Sequence, residues 1–158
     1  MSDLPERSAL DELSAAWRAA WEGSGFSACC TPDIRYEDPV AVEPTEGVEA
    51  LEALAARMRA AFPDIRVEGS AAPLGRGPHA CLPWRALGTH RGEIAALPAT
   101  ERFVVLHGVH YVEIVDGAVR RARGFYDLYD VATQLGLLPK RGSLGESALM
   151  LLRGFGLR

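Results

Sequence analysis

The residues best suited to chemistry in this chain are an aspartate closing an aromatic-rich segment and four scattered histidines. Asp127 follows Phe125 and Tyr126 and comes two residues before Tyr129. A carboxylate held among rings loses solvation, and burial raises its pKa toward the range where general acid–base catalysis works well. That makes Asp127 the leading acid–base candidate. It also stands directly before a helical pattern, with Asp130 three residues on, so its side chain equally suits a helix N-cap. The sequence leaves both readings open, and one side chain could serve both.

The histidines are His79, His90, His107 and His110. His107 and His110 are three apart on a strand pattern, so they point to opposite faces and cannot share a metal ion unless the strand bulges. The chain has no HExxH and no Cys/His cluster, and no metal is expected. Asp116-Gly117 is a two-residue hairpin signal, because the primed turns need positive φ. Such a turn pairs His110 with Arg123, Gly108 with Phe125 and Leu106 with Asp127. His110 and Asp127 then share a face roughly 13 Å apart along the strand, a gap that a flat substrate could span. His107, Tyr111 and Tyr126 take the other face. One β-bulge would exchange the faces, so which set looks inward stays open. Trp84 lies six residues before His90 on the same face; Gly88 between them suits a strand end or bulge.

Other chemistries lack their motifs. There is no GxSxG nucleophile elbow and no GxGxxG or GxxxxGK[ST] phosphate loop, and Gly75-Arg-Gly77 alone carries no weight. A net charge of −4 gives no field that would gather nucleic acid or an anionic membrane. The run Arg120, Arg121, Arg123 reads as a solvated strand face. The three cysteines, Cys29, Cys30 and Cys81, include no CxxC, and neighbours such as Cys29 and Cys30 rarely bridge each other. A reducing, cytoplasmic setting is expected, with no signal peptide in the polar stretch from Met1 to Glu12 and no membrane span.

The elements that must position these groups can be read from periodicity. One domain of 158 residues is expected, with a core over about 8–139 and a tail over 140–158. Ser8 to Glu22 reads as a helix with Ser8 as N-cap, Asp11 and Glu12 in the first turn, and Leu10, Leu13, Trp17 and Trp21 facing the core. Asp33 to Asp38 reads as a short strand stopped by Pro39. Gly47 to Phe62 is a second helix, ended by Pro63. Ile65 to Ala71 is a strand, and Pro73 to Pro78 a turn region. Ala80 to His90 is a strand whose start Pro83 demotes to an edge or bulge. Arg102 to Val115 and Ala118 to Tyr126 form the hairpin. Leu128 to Leu135 is a short helix ended by Gly136, and Leu144 to Leu152 a last helix or tail. This order implies an α+β fold with a mostly antiparallel sheet.

Several segments occur in a fixed order: Tyr36-Glu-Asp-Pro39, Gly47, Phe62-Pro-Asp64, Gly88-Thr-His-Arg-Gly-Glu93, Pro98-Ala-Thr-Glu-Arg102, Asp116-Gly117, Phe125-Tyr-Asp127 and Gln134-Leu-Gly-Leu-Leu-Pro139. Together they resemble the SnoaL-like polyketide and ester cyclases, from about Phe26 to Pro139. The resemblance implies the cone of nuclear transport factor 2, a curved sheet wrapped around helices with a central apolar pocket. It also implies a homodimer or higher homo-oligomer, no cofactor, and a small apolar, polyketide-like ligand. Family cyclases close a ring by an intramolecular aldol step. The aspartate of the matching strand-end motif falls on Asp127, which would act as base and then acid. His110 or His107 would hold the developing oxyanion. Trp84, His90, His107, Tyr126 and Tyr36 would line the substrate site.

The chain departs from that pattern at Leu97 to Arg102, where many members carry a Pro-Pro-Thr-Gly-Arg turn. It departs again at Arg121-Ala-Arg-Gly-Phe125, where many members place a tryptophan and a glutamate. Gly124 supplies no acid, which argues against epoxide hydrolysis. The alternatives to a cyclase are a non-catalytic pocket for a hydrophobic metabolite and a dimeric scaffold with a filled cone.

Overall fold

The computed structural model describes residues 7–41 and 43–153. Helix α1 (Arg7–Ala19) continues into a π-turn over Ala20–Ser24. Strand β1 (Cys30–Glu37) and the two-residue β2 (Thr45–Glu46) precede helix α2 (Val48–Ala61). Then come β3 (Arg66–Gly69), β4 (Leu74–Arg76), β5 (His79–Thr89), β6 (Phe103–Val115) and β7 (Ala118–Tyr126). Helices α3 (Leu128–Gln134) and α4 (Leu144–Leu152) close the described chain.

The strands form one curved, unclosed sheet in the order β2-β1-β7-β6-β5-β3, with β4 also paired to β5. Only β1 and β7 run parallel; the other pairs are antiparallel. Helix α1 buries Leu10, Leu13 and Trp17, the stripe its spacing predicts, against Ile34, Leu82, Val112 and Val119 of the sheet. Each such large apolar side chain contributes about 1.5–3 kcal/mol by leaving water. A second, smaller core of Ala61, Phe62, Val104 and Leu135 joins α2 to β6 and α3.

Local differences from the sequence reading have physical causes. Arg7 is already helical, so Ser8 is not the cap, and no acidic residue falls in the first turn. Residues 1–6, which held the expected polar start, lie outside the described residues. The turn region before Pro78 contains β4, a short hairpin arm on β5. Pro83 is not at an edge. It falls between the end of β4 opposite Cys81 and the start of β3 opposite Trp84, where no partner strand needs its missing N–H.

The hairpin turn forms as expected, with Asp116 at φ 50° and Gly117 at φ 78°. A bulge follows at once. Glu113 pairs with Arg121 but Ile114 with Val119, which leaves Arg120 over. The bulge shifts the register by one residue. His110 lies opposite Gly124, not Arg123, and Gly108 lies opposite Tyr126, not Phe125. Tyr126 therefore shares the inner face with His110, and Phe125 turns outward, 48% exposed.

Helix α3 docks through Gln134. Its amide accepts from Val105 N at 2.9 Å and donates to Val105 O at 2.8 Å, taking the place of a strand where β7 no longer flanks β6. Gly136, at φ 81°, ends the helix.

Candidate active site

His110 lies at the centre of the inner face, 4% exposed. Trp17 of α1 donates its indole N–H to His110 Nδ1 at 3.1 Å. An indole nitrogen only donates, so Nδ1 is unprotonated and the proton sits on Nε2. Nε2 reaches Tyr36 Oη of β1 at a long 3.5 Å. Tyr36 Oη in turn lies 3.2 Å from Asp38 Oδ2 and donates to it. The other carboxylate oxygen, Oδ1, accepts the backbone N–H groups of Val40 and Ala41, each at 2.8 Å. Donors thus point one way along the series, from Trp17 through His110 and Tyr36 to the Asp38 carboxylate.

Aromatic rings enclose this series. Trp84 stacks on one side of the imidazole, with centroids 5.1 Å apart, and Trp21 lies parallel at 6.0 Å. Tyr126 packs edge-on against Trp84. Burial holds the His110 pKa down at about 3, so the imidazole is neutral and acts as a hydrogen-bond donor. Burial, and then the nearby Asp38 charge, push the Tyr36 and Tyr126 phenols up, so both keep their protons.

Two glycines make the convergence possible. A Cβ on Gly124 would stand 3.2 Å from Tyr36 Oη, 3.4 Å from Asp38 Cβ and 3.5 Å from His110 Cδ2. A Cβ on Gly108 would collide with the Trp84 ring, which lies across that position.

Asp127 lies elsewhere. Its Oδ1 accepts the backbone N–H of Asp130 at 3.0 Å, capping α3, and its Oδ2 is 3.7 Å from Arg141. The side chain is 53% exposed. His107 sits on the outer face opposite Arg85, exposed. His90, just past the end of β5, is wholly buried beside Phe62. Its Nδ1 accepts Thr100 N–H at 3.1 Å and lies 3.0 Å from Thr100 Oγ1, which pins the 90–102 loop. The structure brings Tyr36, Trp84, His110 and Tyr126 together, and leaves His90, His107 and Asp127 apart from them.

The sequence reading did not single out Asp38, or the hydrogen bond that Trp17 makes to His110. Asp38 carried a signal. It follows Tyr36 at i+2, so the two share a strand face, and it precedes Pro39, where an Asx turn is common. Among the described residues, no group of three or more His, Cys, Asp or Glu side chains gathers as a metal would require. No described helix is long and apolar enough to cross a membrane.

The architecture has known counterparts. A structure from Jannaschia sp. CCS1, named for the SnoaL-like polyketide cyclases, is 22% identical, with 89% of this chain and 99% of that one covered and a TM-score of 0.74. TsrD from Streptomyces laurentii is 25% identical over 86% of this chain and 100% of its own, with a TM-score of 0.75. AclR from Streptomyces galilaeus, which bears a hydroxylase designation, is 26% identical over 94% and 92%, with a TM-score of 0.69. No curated protein matches the chain. The shared fold is the α+β cone of nuclear transport factor 2 and ketosteroid isomerase. At the level of sequence, the description "SnoaL-like polyketide cyclase" matches residues 8–135. The chain therefore belongs to the SnoaL-like polyketide cyclase family.

Proposed function

We propose that the protein is a cofactor-independent, polyketide-cyclase-type catalyst, closing a ring by an aldol step on an apolar polycarbonyl compound or aromatic ester, with Asp38 as its base. The observation that carries this reading is the one-way series of donors ending on the Asp38 carboxylate. A substrate carbonyl entering between Asp38 and the two phenols meets O–H donors whose protons are held firmly. Asp38 removes the acidic proton between two carbonyls. Tyr36 and Tyr126 stabilise the enolate oxygen, and His110 Nε2–H supports Tyr36 from behind. The enolate carbon attacks a second carbonyl folded against Trp84, and protonated Asp38 returns its proton to the new alkoxide. In this scheme Asp127 is a positioning residue that anchors α3.

The test compares Asp38→Asn with Asp127→Asn for turnover of an aryl β-keto ester. The reading expects the first to lose activity by a hundredfold or more, on the order of general-base removal, and the second to keep it. The opposite pattern returns the base to Asp127.

A filled-cone scaffold is the second reading, favoured by the aromatic packing around His110. It expects no turnover and no ligand-dependent stabilisation. A homodimer in a cytoplasmic setting belongs to the same proposal, supported by the exposed outer-face rings Phe103, Tyr111 and Phe125 and by the three free thiols.

A further inference from the structure

Cys29 and Cys30 take no part in the chemistry above. Both are buried, at 2% and 7% exposed, and their sulfurs lie 3.9 Å apart. A disulfide needs sulfurs about 2.05 Å apart and Cα atoms about 4.4–6.8 Å apart, whereas neighbours across a trans peptide have Cα atoms about 3.8 Å apart. The pair is badly placed to bridge directly. A three-coordinate, pyramidal soft centre draws two thiolate sulfurs somewhat closer than their present contact. A small approach of the two sulfurs, already in contact at 3.9 Å, puts both within reach of one such atom.

The surroundings narrow the choice. Among the described residues no third His, Cys, Asp or Glu ligand is gathered there, so an ion needing four protein donors is not held. A centre that brings its own carbon substituent needs only two thiols. Cys30 lines an open groove of about 800 Å³, where apolar Pro32, Val48, Ala50 and Ala53 stand beside Ser27, Glu46 and Glu49. Its apolar part suits an apolar substituent.

We propose that Cys29 and Cys30 form a two-thiol binding site for a trivalent organoarsenical, with its organic group in the groove beside α2. The step balances without an oxidant. An arsine oxide, R–As=O, meets Cys30 first and Cys29 behind it. Two As–S bonds form, the As=O bond breaks, and the two thiol protons leave on that oxygen as water. The two thiols are already in hydrogen-bond contact. Cys29 N–H and Sγ both bond Phe26 O, at 3.0 and 3.5 Å. Phe26 packs edge-on against Trp17 and Trp21 at 5.3 and 5.2 Å. Occupancy of the thiol site therefore reaches the rings around His110.

The probe is phenylarsine oxide added to the folded full-length protein, read by intact mass and tryptophan emission. Wild type and Cys81→Ser should each take up one equivalent, with a change in emission. The adduct should resist a large excess of glutathione and be stripped by a 1,2-dithiol. Cys30→Ser should lose that resistance. Loss of uptake in Cys81→Ser, removal by glutathione, or no uptake by folded wild type each overturns the proposal. The wild-type and Cys81→Ser results decide the matter even if Cys29 or Cys30 variants fold poorly.

Discussion

Trp17 holds His110 through a 3.1 Å hydrogen bond across 93 residues of sequence, and so decides which imidazole nitrogen carries the proton. Removing the donor tests this directly. Trp17→Phe keeps a ring in the core but leaves Nδ1 without its partner, a loss worth about 1–3 kcal/mol. Histidine ¹⁵N shifts should then show a mixture of tautomers at His110, where wild type shows the Nε2–H form alone. An unchanged single tautomer would mean that something other than Trp17 sets it.

His110 also makes stability depend on pH. In the unfolded chain its imidazole titrates near 6.5, while in the fold it stays neutral down to about 3. Below pH 6.5 the unfolded state binds a proton that the folded state does not. Stability should therefore fall as pH falls through that window, by up to about 1.4 kcal/mol per pH unit from this group. Urea midpoints measured from pH 7 to 4 should show the slope, and His110→Asn should flatten it.

Gly108 gives way to the Trp84 ring on the neighbouring strand. Gly108→Ala should push that ring off His110 and cost about 1–3 kcal/mol through overpacking. Thermal unfolding and tryptophan emission would both register the change. Full stability with unaltered emission would mean the strands separate freely at this point.

Asp127 serves α3 as its cap. Asp127→Ala should lose about 0.5–2 kcal/mol, and Asp127→Asn, which still caps, should lose little. Neither should disturb the His110 ¹⁵N shifts, since the side chain touches none of the inner-face groups. A shift at His110 in Asp127→Asn would show coupling that the geometry does not contain.

Much of this fold is legible in local sequence signals. Asp116-Gly117 dictates its turn, the Leu10, Leu13, Trp17 stripe dictates the buried face of α1, and Leu144–Leu152 forms a helix with the bounds its pattern suggests. The inner face of the hairpin is not legible, because it depends on Arg120. That residue bulges where Asp33 of β1 pairs with it at 3.5 Å, a partner far away in sequence. Without the bulge, alternation puts His110 opposite Arg123 and sends Tyr126 outward. Asp38 escaped notice for a similar reason. The role proposed for it depends on Tyr36, Tyr126, His110 and Gly124 meeting in space, and Asp127 among aromatic residues is the louder local signal.

In the proposed reaction Asp38 takes a proton from carbon. The most direct measurement is deuterium exchange at the activated methylene of an aryl β-keto ester, followed by NMR with wild type and with Asp38→Asn of verified fold. Exchange accelerated by wild type and reduced to the background rate by Asp38→Asn is the result expected. Equal acceleration by both proteins would contradict the assignment of Asp38 as the base.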